Sequence, residues 1–103
     1  MNRKILFTAL FSCSIIFNVA AQTHNAKDSL FCVQLNKETI YYYNEEKIDS
    51  ALLCAKYAVK LGEETFGKYH NVYASSLNNL ASLYQDMGNY TAAEPLYKEA
   101  LVI

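Results

Sequence analysis

VYASSLNNLASLYQDMGNYTAAEPLYKEALVI, residues 72–103, is the stretch whose reading decides the fold. Within it Val72, Leu77, Leu80, Ala81, Leu83 and Tyr84 recur at three- and four-residue steps. That spacing lays them along one stripe of a helix reaching Met87. Gly88-Asn89 interrupts the pattern, and glycine readily adopts the left-handed conformation that closes a helix. From Tyr90 the helical spacing resumes through Ala93, Leu96, Tyr97, Ala100 and Leu101. A two-residue break between two amphipathic helices turns the second back on the first. Pro95 removes one backbone donor inside that second helix and is expected to bend its first turns.

Upstream the plan repeats. Asp28 to Tyr43 reads as a helix with Leu35 and Tyr42 on one face. Asn44-Glu45-Glu46 is a polar break. Ile48 to Leu61 reads as the returning helix, through Ala51, Leu52, Ala55, Ala58 and Val59, and Gly62 is expected to end it. Glu63 to Asn71 then serves as a connection. A shift of 42 residues places Leu35 on Leu77, Asn36 on Asn78, Tyr42 on Tyr84, Ala51 on Ala93, Lys56 on Lys98 and Ala58 on Ala100. Self-similarity at such a period signals stacked helical units. The expectation is all-α: helices near 28–44, 46–62, 71–87 and 90–102, a further helix through the leader, and no sheet.

Residues 1–21 read as a signal peptide. Arg3 and Lys4 are followed by the apolar run Ile5–Phe17 and the small-residue end Asn18-Val19-Ala20-Ala21. Cleavage is expected after Ala21, with export to the periplasm or the medium. Two other readings stay open. The run could remain as an uncleaved anchor, although it is shorter than the roughly 20 residues of a membrane span. Leu10-Phe11-Ser12-Cys13 is also a lipobox-like sequence that would anchor a lipoprotein through Cys13. Residues 22–27 form a polar leader, and 28–103 divide into hairpins at 28–69 and 70–103.

Charge and composition narrow the function classes. Without residues 1–21 the chain has seven lysines against ten acidic residues, a net charge of −3. No basic patch exists to neutralise phosphates, so nucleic acid is not an expected partner. Cys32 and Cys54 match no zinc spacing and read as small apolar helix residues that do not bridge. His24 sits in the leader. His70 precedes a helix and reads as a packing or capping residue. No phosphate loop, HExxH or GxSxG occurs. Glu45-Glu46 and Glu63-Glu64 are sequence neighbours, which point to different helix faces and make poor acid–base couples. No enzyme activity, cofactor or metal is expected. Of nine tyrosines, Tyr42, Tyr84 and Tyr97 fall on packing positions, while the run Tyr41–Tyr43 must turn some rings outward.

Leu77, Leu80, Ala81 and Tyr84, followed by Ala93, Tyr97 and Ala100, resemble the tetratricopeptide repeat. Leu77 stands for the usual Trp and Ala81 for the usual Gly. The first repeat departs further, with Glu38 at an apolar position and Ala55 at an aromatic one. The 42-residue period, SLNNLASLYQDMGNYTAAEPLYKEAL and the preceding FGKYHNVYA resemble the kinesin-light-chain-like subclass, common in bacteria. The resemblance covers about residues 30–103. It implies a right-handed solenoid of antiparallel hairpins and a protein-interaction role. It also implies that the first helix of each repeat lines a concave, peptide-binding face. By position in the motif, Asn36, Lys37, Ile40 and Tyr43 of the first repeat and Ser75, Asn78, Asn79, Ser82, Gln85 and Asp86 of the second face that groove. Asn78 and Asn79 have an alternative role in a hydrogen-bond ladder between stacked helices. Leu101-Val102-Ile103 breaks off in mid-pattern. The sequence is therefore read either as a truncated array or as one that covers its end by self-association through the C-terminal helix. A rival functional reading makes it the leading part of a larger enzyme or sensor, such as a caspase-like peptidase or a histidine kinase, with the activity beyond Ile103.

Overall fold

The computed structural model describes residues 26–103; the expected signal peptide and leader helix, the lipobox-like stretch at Cys13, His24 and most of the 22–27 stretch read as leader lie outside the described residues. Four helices follow in order and no strand occurs among the described residues. Helix α1 spans residues 26–44, α2 is Ile48–Phe66, α3 is Asn71–Asp86 and α4 is Tyr90–Leu101. Ala26 and Lys27 belong to α1, so the helix takes in residues read as leader.

Each buried stripe follows helical spacing. On α1 it is Cys32, Leu35 and Thr39, with Tyr42 half-buried one turn on. On α2 it is Ala51, Ala55, Ala58 and Gly62, an edge made only of small residues. Leu80 and Leu83 of α3 pack into this edge, joining Ala51 and Ala55 in the core with Tyr42, Leu52, Val59, Tyr84 and Leu96 around them. Helix α3 therefore lies against both α2 and α4. Leu77 is fully buried at its centre.

Gly62 does not end α2, which runs on one more turn to Phe66. A helix interior tolerates a glycine at a cost of about 1 kcal/mol, and tertiary contact explains its place here. A Cβ on Gly62 would lie 3.6 Å from the Tyr73 ring and 3.7 Å from the Tyr73 Cα, so α3 crosses α2 at this point. Those are ordinary contact distances. Gly62→Ala is therefore expected to raise stability by about 0.5–1 kcal/mol, through reduced freedom of the unfolded chain. Gly62→Leu, whose outer carbons must enter the Tyr73 backbone, is expected to lower it by about 1–3 kcal/mol. Urea midpoints of both variants check the pair.

The 42-residue period has a spatial counterpart. In the first hairpin Phe31 meets Tyr57 edge-on, ring centres 5.8 Å apart. The same shift leads to Tyr73 and Glu99, and there the Tyr73 hydroxyl donates to the Glu99 carboxylate at 2.8 Å. The two turns correspond as well. Lys47 N–H donates to Tyr42 O and Glu46 N–H to Tyr43 O. Forty-two residues later Asn89 N–H donates to Tyr84 O and Gly88 N–H to Gln85 O. This six-to-one, five-to-two pair of bonds is the Schellman closure, and its central residue takes a positive φ. Gly88 does so at φ 79 and Glu46 at φ 60.

Local caps complete the frame. The Asn89 side chain accepts from Ala92 N–H at 3.2 Å and opens α4. His70 opens α3, its Nδ1 accepting from Val72 N–H at 3.1 Å while its ring stacks on Phe66 at 4.3 Å. This is the capping and packing role expected for it. Pro95 is exposed within α4, which continues past it to Leu101. Cys32 and Cys54 are both free, as expected. Burial pushes both thiols up. Tyr97 corrects the sequence reading: it is not core but 36% exposed, because its hydroxyl reaches outward to Ser82 and Gln85.

Tyr73 links the fold to pH. Burial, then its bond to Glu99, raises the phenol well above its usual range. A raised tyrosine pKa gives stability that is complete below the unfolded value, about 10, and lost as pH climbs beyond it. Stability is expected to fall by up to ~1.4 kcal/mol per pH unit above about pH 10 from this residue alone. Tyr73→Phe removes that part of the slope, which denaturant midpoints between pH 8 and 11 would show.

Candidate functional site

Helices α1 and α3 run side by side and are tied at two levels. Near their middle the Ser76 hydroxyl donates to the Asn36 side-chain oxygen at 2.9 Å. At their C-terminal ends the Tyr43 hydroxyl donates to the Asp86 carboxylate. That bond holds the Tyr43 phenol above its ordinary range. Between the two ties opens a hollow of about 240 Å³ lined by Thr39, Ile40, Tyr43, Asn79, Ser82 and Leu83.

Helical geometry explains the lining. Thr39 and Tyr43 are four residues apart, as are Asn79 and Leu83, so each pair sits on one face, one turn above the other. Leu83 forms a buried floor. Thr39 is buried too, its hydroxyl donating back to Leu35 O at 2.8 Å, so it offers mainly its methyl group. Ile40 and Tyr43, about half exposed, form the apolar rim. Ser82 shares its hydroxyl with that of Tyr97 at 3.0 Å, and Tyr97 in turn donates to Gln85 at 2.9 Å. The half-buried Asn79 adds an amide, which can both donate and accept.

Of the ten residues expected in a groove, the structure gathers Ile40, Tyr43, Asn79 and Ser82 around this hollow. Asn36 and Asp86 act as its ties. The inter-helix ladder exists, but Asn36 makes it rather than Asn78 or Asn79. Asn78 faces another way, into a hollow with Tyr97, Lys98, Ala100 and Leu101. Lys37 belongs to a hollow on the far side of α1 with Lys27, Leu30 and Phe31. Gln85 is engaged by Tyr97, and Ser75 is exposed outside the hollow. Thr39 and Leu83 were missed as lining. Their buried, core-like positions gave no sign that they also floor an opening.

The chemistry on offer is complementarity of shape and one amide, with the nearest carboxylate already engaged. Among the described residues no three His, Cys, Asp or Glu side chains gather as metal ligands would.

Two helical hairpins related by a 42-residue shift, with a hollow between their first helices, suit a helical repeat. The family model described as tetratricopeptide repeat matches residues 35–103, well over half the chain. The chain belongs to the tetratricopeptide repeat family. Tetratricopeptide repeats generally mediate protein–protein interaction. The match begins at Leu35 of α1 and takes in the hollow whole. Among curated proteins no significant match was found.

Proposed function

We propose that this tetratricopeptide repeat protein is an exported bacterial interaction module, without catalytic activity of its own. Its α1–α3 hollow takes an apolar side chain from an extended peptide. In this reading the chain is of the kinesin-light-chain-like subclass and its hairpins are successive turns of a right-handed solenoid. The carrying observation is the hollow itself. Ile40, Tyr43 and Leu83 accept an apolar group, and Asn79 stands beside them to pair with a peptide N–H and C=O. A pocket of apolar walls with a few placed polar groups is the usual form of a recognition site. Asp86 lies at one end, but Tyr43 already uses its carboxylate, so recognition here rests little on charge.

The test is selection of a randomised 12-residue peptide library against the chain, followed by affinity measurements on the recovered sequences. Selected peptides should share one large apolar residue. They should bind Ile40→Asp at least tenfold more weakly and Asn79→Ala less well. Equal binding by both variants would refute the hollow as the site. Export is tested separately, by the mass of the amino terminus in the source cell. Processing at Gln22 supports it, lipidated Cys13 replaces it with the anchored form, and an intact Met1 in the cytoplasm removes it.

A further inference from the structure

Three hydroxyl groups stand around the α1–α3 hollow, on Thr39, Tyr43 and Ser82. A hydroxyl has one hydrogen to donate and two lone pairs that accept. What these groups offer a ligand depends on where their hydrogens already go. Thr39 donates to Leu35 O at 2.8 Å, one turn back on its own helix. Tyr43 donates to the Asp86 carboxylate, which when ionised can only accept. Ser82 lies 3.0 Å from the Tyr97 hydroxyl, in a pair where either oxygen has the geometry to donate. The other bond of Tyr97 fixes the direction. Its hydrogen goes to the Gln85 side-chain oxygen at 2.9 Å, so the hydrogen between Ser82 and Tyr97 comes from Ser82. The bonds therefore run from Ser82 to Tyr97 to Gln85, and neither Tyr97 nor Gln85 lines the hollow.

All three hydrogens are spent on the protein, while lone pairs remain. Thr39 is buried, whereas Ser82 is exposed and presents its oxygen to an entering group. Among the lining side chains only Asn79 carries an N–H donor.

We propose that the hollow selects an apolar side chain ending in an O–H or N–H donor, which Ser82 Oγ accepts. This rests on the reading of the hollow as a peptide site in which Asn79 serves the peptide backbone. With that amide occupied, the tip of the ligand side chain meets acceptors alone. A wholly hydrocarbon tip covers Ser82 Oγ and strips it of water without replacing the lost bond, and an unpaired polar group is costly to cover. A tip that only accepts sets lone pair against lone pair. A carboxylate would in addition face the charge of Asp86 at the end of the hollow. A donor at the tip replaces the water and pairs the oxygen. Tyr97 takes part without touching the ligand, as a positioning residue that holds the Ser82 hydrogen turned away.

The test takes the tightest peptide recovered from the randomised library and remakes it with tyrosine, phenylalanine or 4-methoxyphenylalanine at its apolar position. The first donates, the second has no polar tip and the third only accepts. The tyrosine peptide should bind the full chain about fivefold tighter than the phenylalanine peptide, the worth of one hydrogen bond. The methoxy peptide should bind no tighter than the phenylalanine one. Ser82→Ala should make the tyrosine and phenylalanine peptides equal. Tyr97→Phe keeps the ring and releases the Ser82 hydrogen, so the methoxy peptide should gain about threefold relative to the tyrosine peptide. If Ile40→Asp weakens all three peptides while tyrosine and phenylalanine bind alike, the hollow stands as the site and the donor preference is refuted. A tyrosine preference that survives Ser82→Ala, or a methoxy-to-tyrosine ratio unmoved by Tyr97→Phe, overturns it as well. Peptides indifferent to Ile40→Asp remove the site itself, and this inference with it.

Discussion

Leu77→Ala should lower the stability of the chain by about 2–5 kcal/mol, the range for deleting a buried leucine side chain. Leu77 is fully buried, at the centre of α3 between α2 and α4. Its neighbours cannot easily close the gap. Ala81, one turn on, is fully buried as well and too short to reach across. Domains of this size hold about 4–12 kcal/mol in total, so a single truncation could remove half of it. The far-ultraviolet signal should show the helices melting at much lower urea, with the slope of the transition unchanged. Leu101→Ala provides the contrast. That leucine is 88% exposed, and the change should fall within about 0.5 kcal/mol of zero. Similar losses at both positions would mean that the hairpins do not pack as described.

The second large effect is a gain. Both hairpins close their first helix with the same backbone bonds, yet one does it with Glu46-Lys47 and the other with Gly88-Asn89. A side chain in the left-handed conformation costs about 1–2 kcal/mol, which glycine escapes. Lys47 makes no side-chain cap, whereas Asn89 accepts from Ala92 N–H. A good capping residue contributes about 1 kcal/mol. Glu46→Gly with Lys47→Asn should therefore stabilise the chain by about 2 kcal/mol, and Gly88→Glu with Asn89→Lys should cost as much or more. Thermal midpoints of the two double variants, which exchange the same residues in opposite senses, give a direct comparison. No difference between them would show that the loops are not equivalent.

That equivalence was already visible in the sequence. The 42-residue shift needs only residue identity, and helical spacing needs only the turn of the α-helix. Together they placed four helices and two tight reversals, with the boundary errors falling where local signals were ambiguous. Gly62 looked like a stop signal because glycine often is one. Only the approach of Tyr73 from another helix shows why it sits inside α2 instead. Tyr97 looked like core because its spacing is right, yet hydroxyl partners on α3 draw its ring to the surface.

The candidate groove divides in the same way. Periodicity could say which helix faces Asn36, Ile40, Asn78 and Asn79 occupy. It could not say that Asn36 is consumed by Ser76, that Asn78 turns toward α4, or that Thr39 and Leu83 complete the hollow. Sequence by itself determined the helices, their pairing into hairpins and the repeat. Spacing along one chain sets which side of a helix is apolar, and nothing more is needed for those. Tertiary structure alone decided which amide is spent on a neighbouring helix and which lines the hollow. That choice depends on the offset between two helices forty residues apart, and no local pattern encodes such an offset.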